Sequence, residues 1–115
     1  MKRSSSAVAD QELGCAEQLA RFFPQTAPVR IPVQVTALRA SGPKPQEVTV
    51  VEFVGAGHAV FLSTLPVEFD DHVRLKRASR VCAADATVVA VQYHEGRKAV
   101  AVRFNQASSD WMTRP

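Results

Sequence analysis

The chain has 115 residues, of which 46% are hydrophobic and 22% charged, with 7 Pro, 5 Gly, 2 Cys and a net charge of +3. That allows one core and no second one, which excludes a multidomain enzyme, and no apolar run approaches the roughly 20 residues of a membrane helix. The charge is too mild to call for nucleic acid, and Met1 to Asp10 lacks the apolar stretch of a secretory signal, so a cytoplasmic protein with Cys15 and Cys82 as free thiols is expected.

Residues 1–27 read as an N-terminal arm. Residues 2–9 have no periodicity and are expected to be loose. Asp10 is placed to cap a short helix in which Leu13, Ala16, Ala20 and Phe23 recur on one face, with Leu19 and Phe22 beside it. Gly14 weakens that helix and Pro24 ends it. Two prolines between Phe23 and Pro28 predict an extended connector.

From Arg30 the period changes to two. Ile31, Val33, Val35 and Ala37 alternate with Pro32, Gln34, Thr36 and Leu38, which predicts a first strand with one face inward. After a turn-rich loop from Arg39 to Gln46, Glu47 to Val54 is a β-branched run, broken by Gly55-Ala56-Gly57 and resumed at Ala59 to Leu62. Asp71 to Lys76 places Val73 and Leu75 inward, and an Ala/Val-rich tract follows from Val81 to Tyr93. His94-Glu95-Gly96-Arg97 is a hairpin signal, because Gly96 can adopt the positive φ of a tight reversal. Ala99 to Phe104 closes the series, with Val100, Val102 and Phe104 on one face.

Six short strands without intervening helical pattern predict an all-β fold, a small antiparallel barrel over residues 28–115. Closure also protects Val88-Val89-Ala90-Val91, which would template aggregation if bare. Tyr93 and Phe104 are expected in the core, and Ser108 to Met112 predicts a helical turn that plugs one barrel end with Trp111.

Reactive constellations are weak. His58, His72 and His94 have no metal-ligand spacing, so no metal is expected, and Cys82 lacks a nucleophile's elbow and orienting partner. Glu68, Asp70, Asp71 and Glu95 read as solvated loop charges, and Glu52 and Asp85 as outward strand residues, with no acid/base couple among them. Two glycines at 55 and 57 are a strand-to-strand turn rather than a phosphate loop. Arg74, Lys76, Arg77 and Arg80 form the densest basic stretch. A solvated strand face explains them, and a basic barrel binding RNA or single-stranded DNA is the weaker reading because aromatics are scarce. No enzymatic activity is expected.

The order of these features resembles a PilZ domain over about residues 28–112. A basic residue precedes the first strand in Arg30-Ile31-Pro32-Val33-Gln34-Val35, and a strand-break-strand unit runs from Val48 to Leu62. Leu65-Pro66-Val67-Glu68-Phe69-Asp70-Asp71-His72-Val73-Arg74-Leu75 follows, and the last strand reads Ala99-Val100-Ala101-Val102-Arg103-Phe104. The resemblance implies a six-stranded β-barrel of bacterial signalling proteins, often receptors for cyclic di-GMP.

Family receptors hold the nucleotide with R-x-x-x-R before the first strand and D/N-x-S-x-x-G at the end of the second, since guanidinium forks suit phosphate oxygens and guanine edges. Arg30 fits the second arginine, but Thr26 stands four positions earlier and Arg21 is the only other arginine of the arm near it. The second element aligns with Phe53 to His58, or, shifted by one, with Glu52 to Gly57. The resemblance with these departures implies a non-enzymatic adaptor that contacts a bacterial signalling or motility protein. The alternative is a direct cyclic di-GMP receptor, with Arg30 and Arg21 as phosphate clamps and Glu52 or His58 as substitute base contacts.

Overall fold

Alternating apolar side chains can only be buried together if the strands that carry them wrap around one interior, and that is the arrangement in the computed structural model, which describes residues 14–39, 41–77 and 83–106. A short helix α1 (Cys15–Ala20) is followed by β1 (Ala27–Leu38), β2 (Gln46–Val54), β3 (His58–Leu62), β4 (His72–Arg77), β5 (Ala83–His94) and β6 (Arg97–Phe104). Every neighbouring pair is antiparallel, and the sheet closes as β1-β2-β3-β6-β5-β4. The expectations for Asp10, Leu13, Arg80, Cys82 and Trp111 fall outside the described residues.

The inward row of β1, Ile31, Val33, Val35 and Ala37, meets Val51, Phe61, Val73, Leu75, Val88, Val100, Val102 and Phe104 in one core. Leu65 and Val67, from the loop between β3 and β4, join the same core. Two opposed anchors hold this loop. The Lys98 ammonium donates to the carbonyl oxygens of Leu65 and Val67, while the Glu47 carboxylate accepts from the Ser63 hydroxyl at 2.7 Å and the Thr64 amide at 2.9 Å. Burial raises the pKa of Glu47, but the hydrogen bonds from Thr64 and Ser63, helped by the Lys98 charge, outweigh it and leave the carboxyl below its ordinary value.

The outer surface is apolar too on one side. Val60, Ala99 and Ala101 are fully buried against Cys15, Ala16, Leu19 and Ala20 of α1, so β3 and β6 are covered on both faces. Alanine is the residue that permits this, because its short side chain lets a helix approach a strand closely. Gln92 donates to Gln18 at 2.7 Å and the Cys15 thiol donates to the Gln92 carbonyl at 3.2 Å, tying α1 to β5. Cys15 is a free thiol, and burial pushes its pKa up.

Several details depart from the sequence reading. The helix ends at Ala20, before Pro24 can act. The amides of Phe22 and Phe23 turn back to the carbonyls of Leu19 and Ala20, which tightens the last turn and takes Phe23 off the helix. The stretch from Phe23 to Pro28 is a turn followed by strand, not an extended connector, because the Thr26 amide and hydroxyl both donate to the Phe23 carbonyl, at 3.0 and 2.7 Å, and β1 starts at Ala27.

Tyr93 is 64% exposed rather than core. It lies opposite Lys98, one residue pair from the hairpin, and its hydroxyl donates to Glu68. At the hairpin both Glu95 (φ 53°) and Gly96 (φ 79°) are left-handed, the pairing that matches the twist of the strands.

Candidate functional site

The chain leading into β1 and the turn after β2 meet at one end of the barrel. Residues 22–26, leading into β1, face the turn 55–58 between β2 and β3 across a groove of about 320 Å³. The turn is shaped by its own backbone: the Gly55 amide donates to the His58 carbonyl at 2.8 Å, and the Gly57 carbonyl accepts from Phe104 at 2.9 Å, fixing the turn to β6. Glycine at 55 lets the two segments approach, since a Cβ there would lie 3.2 Å from the Gln25 carbonyl oxygen and 3.2 Å from the Thr26 methyl.

The groove is mostly apolar. Phe22 stands on its rim with 74% of its surface exposed, and Phe23 packs its ring on His58, centroids 5.0 Å apart and planes inclined by 38°. Burial and the nearby Arg103 guanidinium both hold the His58 pKa below the ordinary histidine value, so the ring is neutral near pH 7. Arg103 is the exposed cross-strand partner of His58 on β6. An adjoining depression of about 260 Å³ shares Phe23, Pro24 and Thr26 with the groove and adds Phe53, Glu17 and Arg21.

Of the four residues singled out in the sequence, His58 and Arg21 therefore lie in adjoining hollows. Arg30 and Glu52 line neither. Arg30 is exposed on β1 where the ladder slips: Pro28 pairs with Phe53 and Ile31 with Val51, so Val29 and Arg30 together oppose Glu52. Glu52 is also the extra residue between β2 and β3, where Val51 and Phe53 pair with Phe61 and Val60. Thr26, four positions before Arg30, spends its hydroxyl on the Phe23 carbonyl and its methyl on Gly55.

Phe22 and Phe23 line the groove although their spacing in the sequence places them on a helix face; only the nearness of Pro24 signals that the helix stops short of them.

The basic stretch on β4 does not form one face. Arg77 is buried in the same alternation as Val73 and Leu75, and Arg74 is held by Asp85 through two hydrogen bonds of 2.7 and 3.2 Å. Among the described residues no cluster of three His, Cys, Asp or Glu could hold a metal, and no helix is long and apolar enough to cross a membrane.

No family model matches the sequence, and no curated protein does. The fold has a solved counterpart in the Bacillus subtilis inhibitor of motility, MotI/DgrA, with a TM-score of 0.56 and 12% identity over 73% of this chain and 42% of that one. This chain spans less than half the length of that protein. The architecture is a six-stranded antiparallel barrel of PilZ-like type.

Proposed function

We propose that the chain is a non-enzymatic, PilZ-like module of bacterial cyclic di-GMP signalling that works by protein contact at the groove between residues 22–26 and the 55–58 turn. The observation that carries this reading is the state of Thr26. Where the receptor pattern needs a guanidinium, a short side chain is wedged between Phe23 and Gly55 with its hydroxyl already committed. Each missing bidentate phosphate contact costs about 1.5–3 kcal/mol, or roughly one to two decades in affinity. Exposed Phe22 and half-buried Phe23 offer instead the aromatic area that protein interfaces favour. The structural neighbour is named as an inhibitor of motility; a motility or signalling protein is accordingly the partner class that this reading favours.

Direct nucleotide reception is the second reading, and Arg30 favours it, being exposed at the β1 bulge with no ion pair to any described acidic residue. The thermal midpoint of the full chain separates the two readings. No change with cyclic di-GMP at signalling concentrations supports the contact module, whereas a midpoint that climbs with nucleotide concentration makes the chain a receptor.

A further inference from the structure

If the barrel acts by protein contact, as proposed above, the charges around the groove select the partner. None of the described residues lining the groove is acidic. Among the described residues, Arg103 of β6 stands across the ladder from His58, exposed, paired with no acidic side chain, and close enough to His58 to act on its proton affinity. On the α1 side the charges are mixed, since Arg21 and Glu17 both line the adjoining depression. Among the described residues the apolar slot is therefore electrostatically one-sided.

We propose that the groove receives an extended segment of a partner protein whose bulky apolar side chain lies between Phe22 and His58 and whose flanking acidic residues fall on the Arg103 side. The apolar anchor supplies contact area, and the carboxylates find a guanidinium that has no acidic partner among the described residues. Phe22 gives the anchor an exposed ring to pack on, and neutral His58 with Phe23 supplies further lining of the same groove. Rim charges of this kind set register and partner choice more than raw affinity, so selectivity between charged sequences is the property to measure.

The test uses the full chain labelled with nitrogen-15 and three synthetic hexapeptides that share a Leu-Phe anchor: Asp-Glu-Leu-Phe-Ser-Gly, Lys-Lys-Leu-Phe-Ser-Gly and Gly-Ser-Leu-Phe-Ser-Gly. The amides of Gly55, Gly57 and His58 should shift saturably with the acidic peptide, at an affinity about fivefold or more above that of the lysine peptide, and the gap should narrow with salt. Arg103→Glu should invert the preference, and Phe22→Ser should weaken all three peptides; both residues are exposed, so the barrel tolerates the changes.

Equal affinities for the acidic and lysine peptides overturn the charge selection while leaving the contact-module reading in place. Failure of every peptide to move these amides overturns the groove as a docking site, whereas displacement of bound peptide by cyclic di-GMP overturns the contact-module reading itself. Shifts of the same amides with protein concentration alone, lost in Phe22→Ser, would give the groove to a second copy of the chain and likewise overturn the proposal.

Discussion

Phe23, in the segment that leads into β1, lays its ring on His58 at the start of β3, and this contact joins the two stretches of chain that line the groove. The two residues are far apart in sequence and lie on segments that the β1–β2 ladder sets side by side, Ala27 pairing with Val54. Their contact lines the groove between the segments with carbon rather than with charged side chains.

Phe23→Ala removes that wall without touching the barrel interior. A half-buried ring of the outer cluster contributes less than a core phenylalanine, so the expected loss is about 1–2 kcal/mol. Urea unfolding should show a lower midpoint and an unchanged slope, with strand content retained by circular dichroism.

His58 provides a pH signature. Its folded pKa lies below the ordinary value of about 6.5, so the neutral ring is the form that folding favours. The corresponding stability is fully present above pH 6.5 and is lost as pH falls through the folded pKa. Proton NMR of the ring should give a midpoint below 6.5, and Arg103→Gln should raise it; a midpoint above 6.5 would mean that an acidic neighbour dominates.

Glu47 is expected to confer acid sensitivity. Its folded pKa is depressed, so the anchor on Ser63 and Thr64 is present above the ordinary glutamate value of about 4.3 and is lost as pH falls through the lower folded value. Glu47→Gln should cost about 1 kcal/mol at neutral pH, discounted for partial exposure, and should flatten the stability profile in acid. Chemical denaturation from pH 7 to pH 3 measures both effects.

Two substitutions on β6 separate the inner from the outer core. Val102→Asp places an unpaired charge in the barrel interior and should leave no folded protein. Ala101→Leu overfills the space beneath α1 at about 1–3 kcal/mol and should lift the helix while the barrel persists. Peptide mapping after alkylation should then show Cys15 modified faster than in the parent chain, because that thiol is buried under α1.

The barrel was legible because strand alternation has a period of two and a closed sheet has one interior. Ile31 through Ala37 and Val100 through Phe104 therefore announced their inner faces directly. The outer face of β6 was not legible. Ala99 and Ala101 look like weak strand residues until a helix is known to rest on them, and α1 itself, with Gly14 at its start, gives no sign of where it docks.

At the candidate site, the resemblance pointed to segments on either side of β1 and β2 but could not assign faces to single residues. Arg30 and Glu52 both lie at register slips, and one extra residue changes what a side chain opposes. Tyr93 departs from the sequence reading for a different reason: it pairs with Lys98 beside the hairpin, and its hydroxyl reaches Glu68 of a distant loop.

Isothermal titration of the full chain with cyclic di-GMP, with GTP as control, tests the central claim most directly. A contact module with Thr26 in the place of the clamp arginine should give no saturable heat with either nucleotide into the millimolar range. A saturable isotherm with cyclic di-GMP alone, abolished by Arg30→Ala in a chain that remains folded, would contradict it.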